Sequence, residues 1–159
     1  MSTVSKAGAA PAAETASVRV WDPLVRIAHW SFVGGVALAW LTTEAGQRWH
    51  EPIGWFVMAV VALRLVWGVV GSRHARFAGF LRGPAAALAY ARHAVRGDAP
   101  RYLGHNPLGA WMIVALLLAL TAVGVSGWLM TTDTYFGSEF MEEAHEALAQ
   151  GLLALVALH

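Results

Sequence analysis

The sequence contains no cysteine. That excludes disulfides, thiolate zinc sites, cysteine-ligated iron–sulfur clusters and thioether-attached cofactors. Any metal must therefore be held by histidine, methionine or carboxylate. Charge is scarce too: acidic and basic residues make up 13% of the 159 positions, against about 25% in a soluble domain. A formal net charge of +1 points neither to nucleic acid nor to a strongly acidic partner. The first 17 residues lack the continuous apolar core of a signal peptide. Residues 1–17 are expected to form a disordered tail, with insertion driven by the first spanning helix.

What is abundant is apolar sequence in long runs. Crossing the hydrocarbon core takes about 20 mostly apolar residues, and residues 24–43, 52–71 and 107–130 meet that length. A fourth run, over 141–159, is clean only from Ala147 onward. It reads either as an amphipathic helix lying on the bilayer or as a spanning helix cut short at His159. Leu152 to Leu158 is apolar on every side, which favours a spanning helix that continues beyond His159. The fold expected over residues 18–159 is thus an all-α bundle of four transmembrane helices, the fourth truncated.

Arginine placement sets the expected orientation. The connection between the second and third runs holds Arg73, Arg76, Arg82, Arg92, Arg96 and Arg101. The segment from Thr131 to Glu146 has no Lys or Arg but carries Asp133, Glu139, Glu142, Glu143 and Glu146. The basic loop and the N-terminus should therefore face the cytoplasm. Within that loop, residues 80–95 read as an amphipathic helix on the inner surface, ended by Gly97, Asp98 and Pro100.

The histidines carry the chemistry. His74 and His93 fall in the basic loop and read as solvated side chains, whereas His29, His50, His105, His145 and His159 lie in or beside apolar helices. Ionisable groups there are costly and mark functional sites. His145 and His159 are fourteen residues apart, which is about 21 Å of rise and four turns less about 40°. Both imidazoles project from nearly one face of one helix, near opposite sides of the bilayer. Two haems stacked across a membrane need ligands placed in this way, and each needs a second ligand at the same depth on another helix. Depth matching pairs His29 with His159 on the inner side and His50 with His145 on the outer side.

Other features are less specific. Gly34, Gly35, Gly54, Gly68, Gly109, Gly124 and Gly127 would let helices approach around a flat cofactor, and ordinary small-residue packing explains them equally well. Arg64 shares the face of His50 at the inner level. It either snorkels to the headgroups or meets an anion such as a haem propionate. Trp30, Trp40, Trp49, Trp55, Trp67, Trp111 and Trp128 read first as an interfacial belt and second as haem packing.

The segments VWDPLVRIAHW (20–30), HEPIGW (50–55), RLVWG (64–68), GHNPLGA (104–110) and AHEAL (144–148) together resemble the bacterial cytochrome b561 superfamily. The similarity is to its short b-type cytochromes, related to the cytochrome b subunit of nickel–iron hydrogenases. It implies a four-helix bundle holding two non-covalent haem b groups by bis-histidine ligation and exchanging electrons with a quinone. The family's ligand positions fall on His29, His50, His145 and His159. His105 falls outside that ligand pattern and is expected at the inner surface beside a propionate or a quinone. Family members continue past the last histidine into a basic tail, and the hydrogenase subunits themselves are longer than this chain.

Three functions compete. The leading one is a di-haem cytochrome carrying electrons across the membrane between a quinone pool and a redox partner, such as a periplasmic c-type cytochrome or a hydrogenase. The second is a membrane anchor subunit of a periplasmic redox enzyme such as a hydrogenase, with mainly structural haem. The third, a histidine-lined metal transporter, fits least, because its ligands should converge near the midplane.

Overall fold

Polar caps followed by proline define where two of the long helices start. Asp22 accepts hydrogen bonds at Oδ1 from the backbone N–H groups of Leu24 (2.8 Å) and Val25 (3.3 Å), with Pro23 opening the helix. Asn106 accepts from the Gly109 N–H at 2.7 Å, with Pro107 following. In both cases the cap satisfies donors that the first helical turn leaves free, and proline gives up a donor that had no partner there.

The computed structural model describes residues 22–44, 47–102 and 104–159, so the tail expected over 1–17 lies outside the described residues. The elements are helices α1 (Pro23–Leu41), α2 (Gln47–Val70), α3 (Phe77–Phe80), α4 (Pro84–Arg96), α5 (Pro107–Met130) and α6 (Glu139–Leu158). Three segments, Pro23–Leu41, Arg48–Val70 and Pro107–Met130, are long and apolar enough to cross a membrane. Helix α6 has 20 residues, which is about 30 Å of rise. Its first half carries Glu139, Glu142, Glu143 and Glu146, and its second half is apolar.

Two boundaries differ from the sequence expectation. Helix α2 begins five residues before Pro52, placing that proline inside the helix and His50 in its first turn. Near a helix start the ring costs a single backbone hydrogen bond, and Pro52 is exposed. Helix α4 starts at Pro84 rather than at position 80, because Gly83 caps it, and the preceding Phe77–Phe80 forms the separate turn α3. Its far end closes at Gly97, whose φ of 78° is the left-handed conformation that glycine tolerates best.

The long helices run antiparallel: α1 packs on α2, α2 on α5 and α5 on α6, with α4 laid against α5. The core is thin, centred on Val57, Val61, Leu120 and Leu152, with Phe32, Val36 and Leu116 against it. Most apolar surface faces outward instead, as at Ile27 (68% exposed), Leu118 (65%) and Val69 (70%). A belt of that kind is stable in hydrocarbon and a liability in water. The chain is a multi-pass helical membrane protein. One end of the bundle carries α3, α4 and the arginine-rich connection, and the other carries the acidic segment before α6.

Candidate functional site

At the acidic end, the start of α2 and the first half of α6 bring His50 and His145 together, with ring centroids 6.1 Å apart and planes at 81°. Each ring is held from behind. His50 Nδ1 lies 2.9 Å from the Ala39 carbonyl oxygen, which can only accept, so Nδ1 carries the proton. His145 Nδ1 lies 2.9 Å from Ser126 Oγ. The Ser126 hydroxyl donates to the Val123 carbonyl at 2.9 Å, so its lone pair accepts from His145 Nδ1–H. In both rings the Nε2 lone pair is left for a further partner, the arrangement that metal-ligating histidines use.

At the arginine-rich end, His29 of α1 and His159, which follows α6, have ring centroids 6.5 Å apart at 50°. Both are exposed, and Trp30 meets His29 edge to face at 5.6 Å. A metal held between two imidazole nitrogens at about 2 Å each sets their centroids about 6 Å apart. Both pairs have that separation. Among the described residues, no cluster of three or more His, Asp or Glu is placed to hold a metal ion. Helix α6 packs mainly on α5, its Leu152 joins the core with Val57 and Val61, and its two histidines meet α1 and α2 at opposite ends. One turn beyond His50, a Cβ on Gly54 would have no neighbour within 4 Å.

Arg64 does not snorkel. Its side chain is 5% exposed, its guanidinium carbon sits 4.7 Å from the Phe77 ring centroid, and its Nη1 is buried without a hydrogen-bond partner. One turn along, buried Trp67 Nε1 lies toward the Asp22 carboxylate and helps to hold it charged. An orphaned, buried guanidinium nitrogen fits an anionic group such as a cofactor carboxylate. Asp22 is the protein carboxylate within electrostatic reach. Its Oδ2 already accepts from the Ser72 hydroxyl at 2.6 Å. That bond holds the Asp22 carboxyl below its ordinary pKa, against an opposing push from burial, with backbone N–H bonds helping. His105 stacks on Phe80 at 4.9 Å between centroids. Burial, then the nearby Arg64 charge, pushes its pKa down, so it is neutral at pH 7.

Sequence reasoning missed Ser126 and the Ala39 carbonyl. A lone serine in an apolar run reads as helix packing, and a backbone acceptor has no sequence signal. The structure also divides the glycines. Gly35 faces Val57, Gly68 faces the Phe77 ring, Gly124 faces Met58, and a Cβ on Gly127 would lie 3.1 Å from His145 Cε1. Gly34 and Gly54 face open space, and Gly109 meets only its own cap residue Asn106. Trp111 donates to the Arg82 carbonyl at 2.9 Å, tying α5 to the start of α4. His74 and His93 stand apart in the connecting segment, His93 beside Asp98 at 3.1 Å.

No curated protein and no solved structure matches the chain. A family match covers residues 20–159 and is described as prokaryotic cytochrome b561. Nearly the whole chain is included, with both histidine pairs, Arg64, Ser126 and His105. Apolar spans, cysteine-free donors and facing imidazoles on separate helices agree with that match, and the chain belongs to the prokaryotic cytochrome b561 family, membrane-embedded b-type cytochromes of electron transfer.

Proposed function

We propose that this chain is a di-haem cytochrome b that carries electrons across a bacterial inner membrane between a quinone pool and a redox partner. His29 and His159 hold one haem at the arginine-rich end, and His50 and His145 hold the other at the acidic end. The observation that carries this reading is the presence of two imidazole pairs, at opposite ends of one bundle, each at the separation of two ligands on one metal. Helix α6 then crosses the bilayer as a fourth span, because one helix supplies a ligand at each level. The arginine-rich end and the N-terminus face the cytoplasm.

Haem b, when bound, supplies a reversible one-electron couple. The chain's own residues do the rest. Two histidines would hold each haem, which favours outer-sphere transfer over substrate chemistry at the metal. The Ala39 carbonyl and Ser126 orient the ligands of the acidic end, and Arg64 offers a charge-assisted donor to a carboxylate at the other. Neutral His105, beside Arg64 and Phe80, forms the flank where a quinone headgroup would bind.

A pyridine haemochrome assay and a reduced-minus-oxidised spectrum test the reading together. Two haems per full-length chain are expected, and His50→Ala or His145→Ala should remove one of them. Protein that takes up no haem, or that loses both haems with either substitution, would overturn it.

A further inference from the structure

The two histidine pairs are held differently. His50 and His145 each use Nδ1 in a hydrogen bond of 2.9 Å to a fixed acceptor, whereas the contacts of His29 and His159 are ring against ring. The acceptor for His145 is unusual for its position. Ser126 is 5% exposed, on an apolar helix, and no lipid or water-facing role accounts for its hydroxyl. Its proton goes to the Val123 carbonyl of its own helix, so its oxygen presents a lone pair across the α5–α6 interface. Gly127, the next residue, removes the one Cβ that would press on the imidazole, at 3.1 Å from Cε1 and 3.4 Å from Nδ1. Serine and glycine side by side therefore form a seat: one fixes the tautomer, and the other leaves room for the ring.

We propose that Ser126 is a positioning residue for the acidic-end haem, setting the orientation and donor strength of His145 through the Nδ1–H to Oγ bond. This rests on the bis-histidine reading above and deepens it. A hydrogen bond accepted from Nδ1–H pushes electron density toward Nε2 and makes the imidazole a stronger donor. A stronger donor favours the oxidised metal, so the acidic-end haem has a lower midpoint potential with Ser126 than without it. Removing the oxygen takes away the side-chain acceptor of His145 and leaves its orientation less fixed.

The test compares the intact wild-type protein with Ser126→Ala, Ser126→Thr and His50→Ala by haem content, optical redox titration and low-temperature electron paramagnetic resonance. His50→Ala identifies the acidic-end signal. Ser126→Ala is expected to shift that haem's midpoint positive, or to lower its occupancy about tenfold or more, while the arginine-end haem keeps its midpoint. The low-spin resonance of the acidic-end haem should broaden as the ring angle becomes less defined. Ser126→Thr, which keeps the oxygen, should restore the wild-type midpoint and occupancy. An unchanged midpoint, occupancy and resonance in Ser126→Ala would overturn the proposal, as would equal losses in the Ala and Thr variants, which would mean packing rather than hydrogen bonding. Wild-type protein without haem would instead sink the bis-histidine reading, so the two failures are distinct.

Discussion

Replacing Arg64 with methionine should change the stability of the haem-free protein little and its affinity for haem greatly. Methionine has nearly the same length and no charge. Without cofactor, the buried Nη1 has no partner, and an unmade hydrogen bond at a buried charged group costs about 1–3 kcal/mol or more. Against this stands the cation–π contact with Phe77 at 4.7 Å, worth about 0.5–2 kcal/mol. The difference leaves Arg64→Met without haem between about 1 kcal/mol less stable and about 2.5 kcal/mol more stable than its parent. On the proposal that Arg64 pairs with a haem carboxylate, the substitution forfeits about 3–5 kcal/mol with haem bound, which weakens binding by about two to four orders of magnitude. Thermal unfolding of the haem-free protein in detergent, followed by circular dichroism, reads the first quantity, and haem titration at the Soret band reads the second. Arg64→Lys keeps the charge without the planar fork and should fall between. A haem-free protein destabilised by more than about 2 kcal/mol, with undiminished haem affinity, would show that Arg64 is a structural residue and refute the reasoning.

Three further outcomes are expected. A Cβ on Gly35 would sit 2.5 Å from Val57 Cγ2, and valine is stiff at χ1. Gly35→Ala should therefore cost about 1–3 kcal/mol, and Gly124→Ala less than that, because Met58, met at both Sδ and Cγ, has the rotatable bonds to move aside; equal unfolding temperatures would refute this. Acid should act in two stages. His105, depressed below 6.5, stabilises the fold fully above 6.5 and progressively less as pH falls through its folded value. Asp22, depressed below 3.8, contributes above 3.8 and is lost as pH falls through its own lower value. His105→Gln should weaken the first stage in a pH series of thermal melts and leave the second unchanged. Finally, Glu139, Glu142 and Glu143 are exposed beside the acidic-end histidines, so changing all three to Gln should slow electron exchange with a basic periplasmic partner at low salt. The difference should vanish as ionic strength rises; stopped-flow rates unchanged at low salt would leave the segment with topology alone.

Much of this protein is legible in one dimension, and the reason is periodicity. Hydropathy over about 20 residues marks α1, α2 and α5, because a bilayer demands apolar side chains on every face of a helix. Asp22–Pro23 and Asn106–Pro107 mark helix starts through donors that any helix leaves free. The fourteen-residue interval from His145 to His159 gives a shared face and two depths, since rise and rotation per residue are constants of the helix. The histidines matched by depth are the ones whose rings lie 6.1 and 6.5 Å apart. Periodicity stops at the surface of a single helix. That Ser126 faces His145, that the Ala39 carbonyl faces His50, and that Arg64 turns inward under Phe77 rather than out to the headgroups depend on how neighbouring helices rotate and cross. The same limit applies to the glycines: Gly35 and Gly34 are adjacent in the chain, yet one meets Val57 and the other open space. Those contacts arise from side chains far apart in sequence, and only the packing of α1, α2, α5 and α6 decided them.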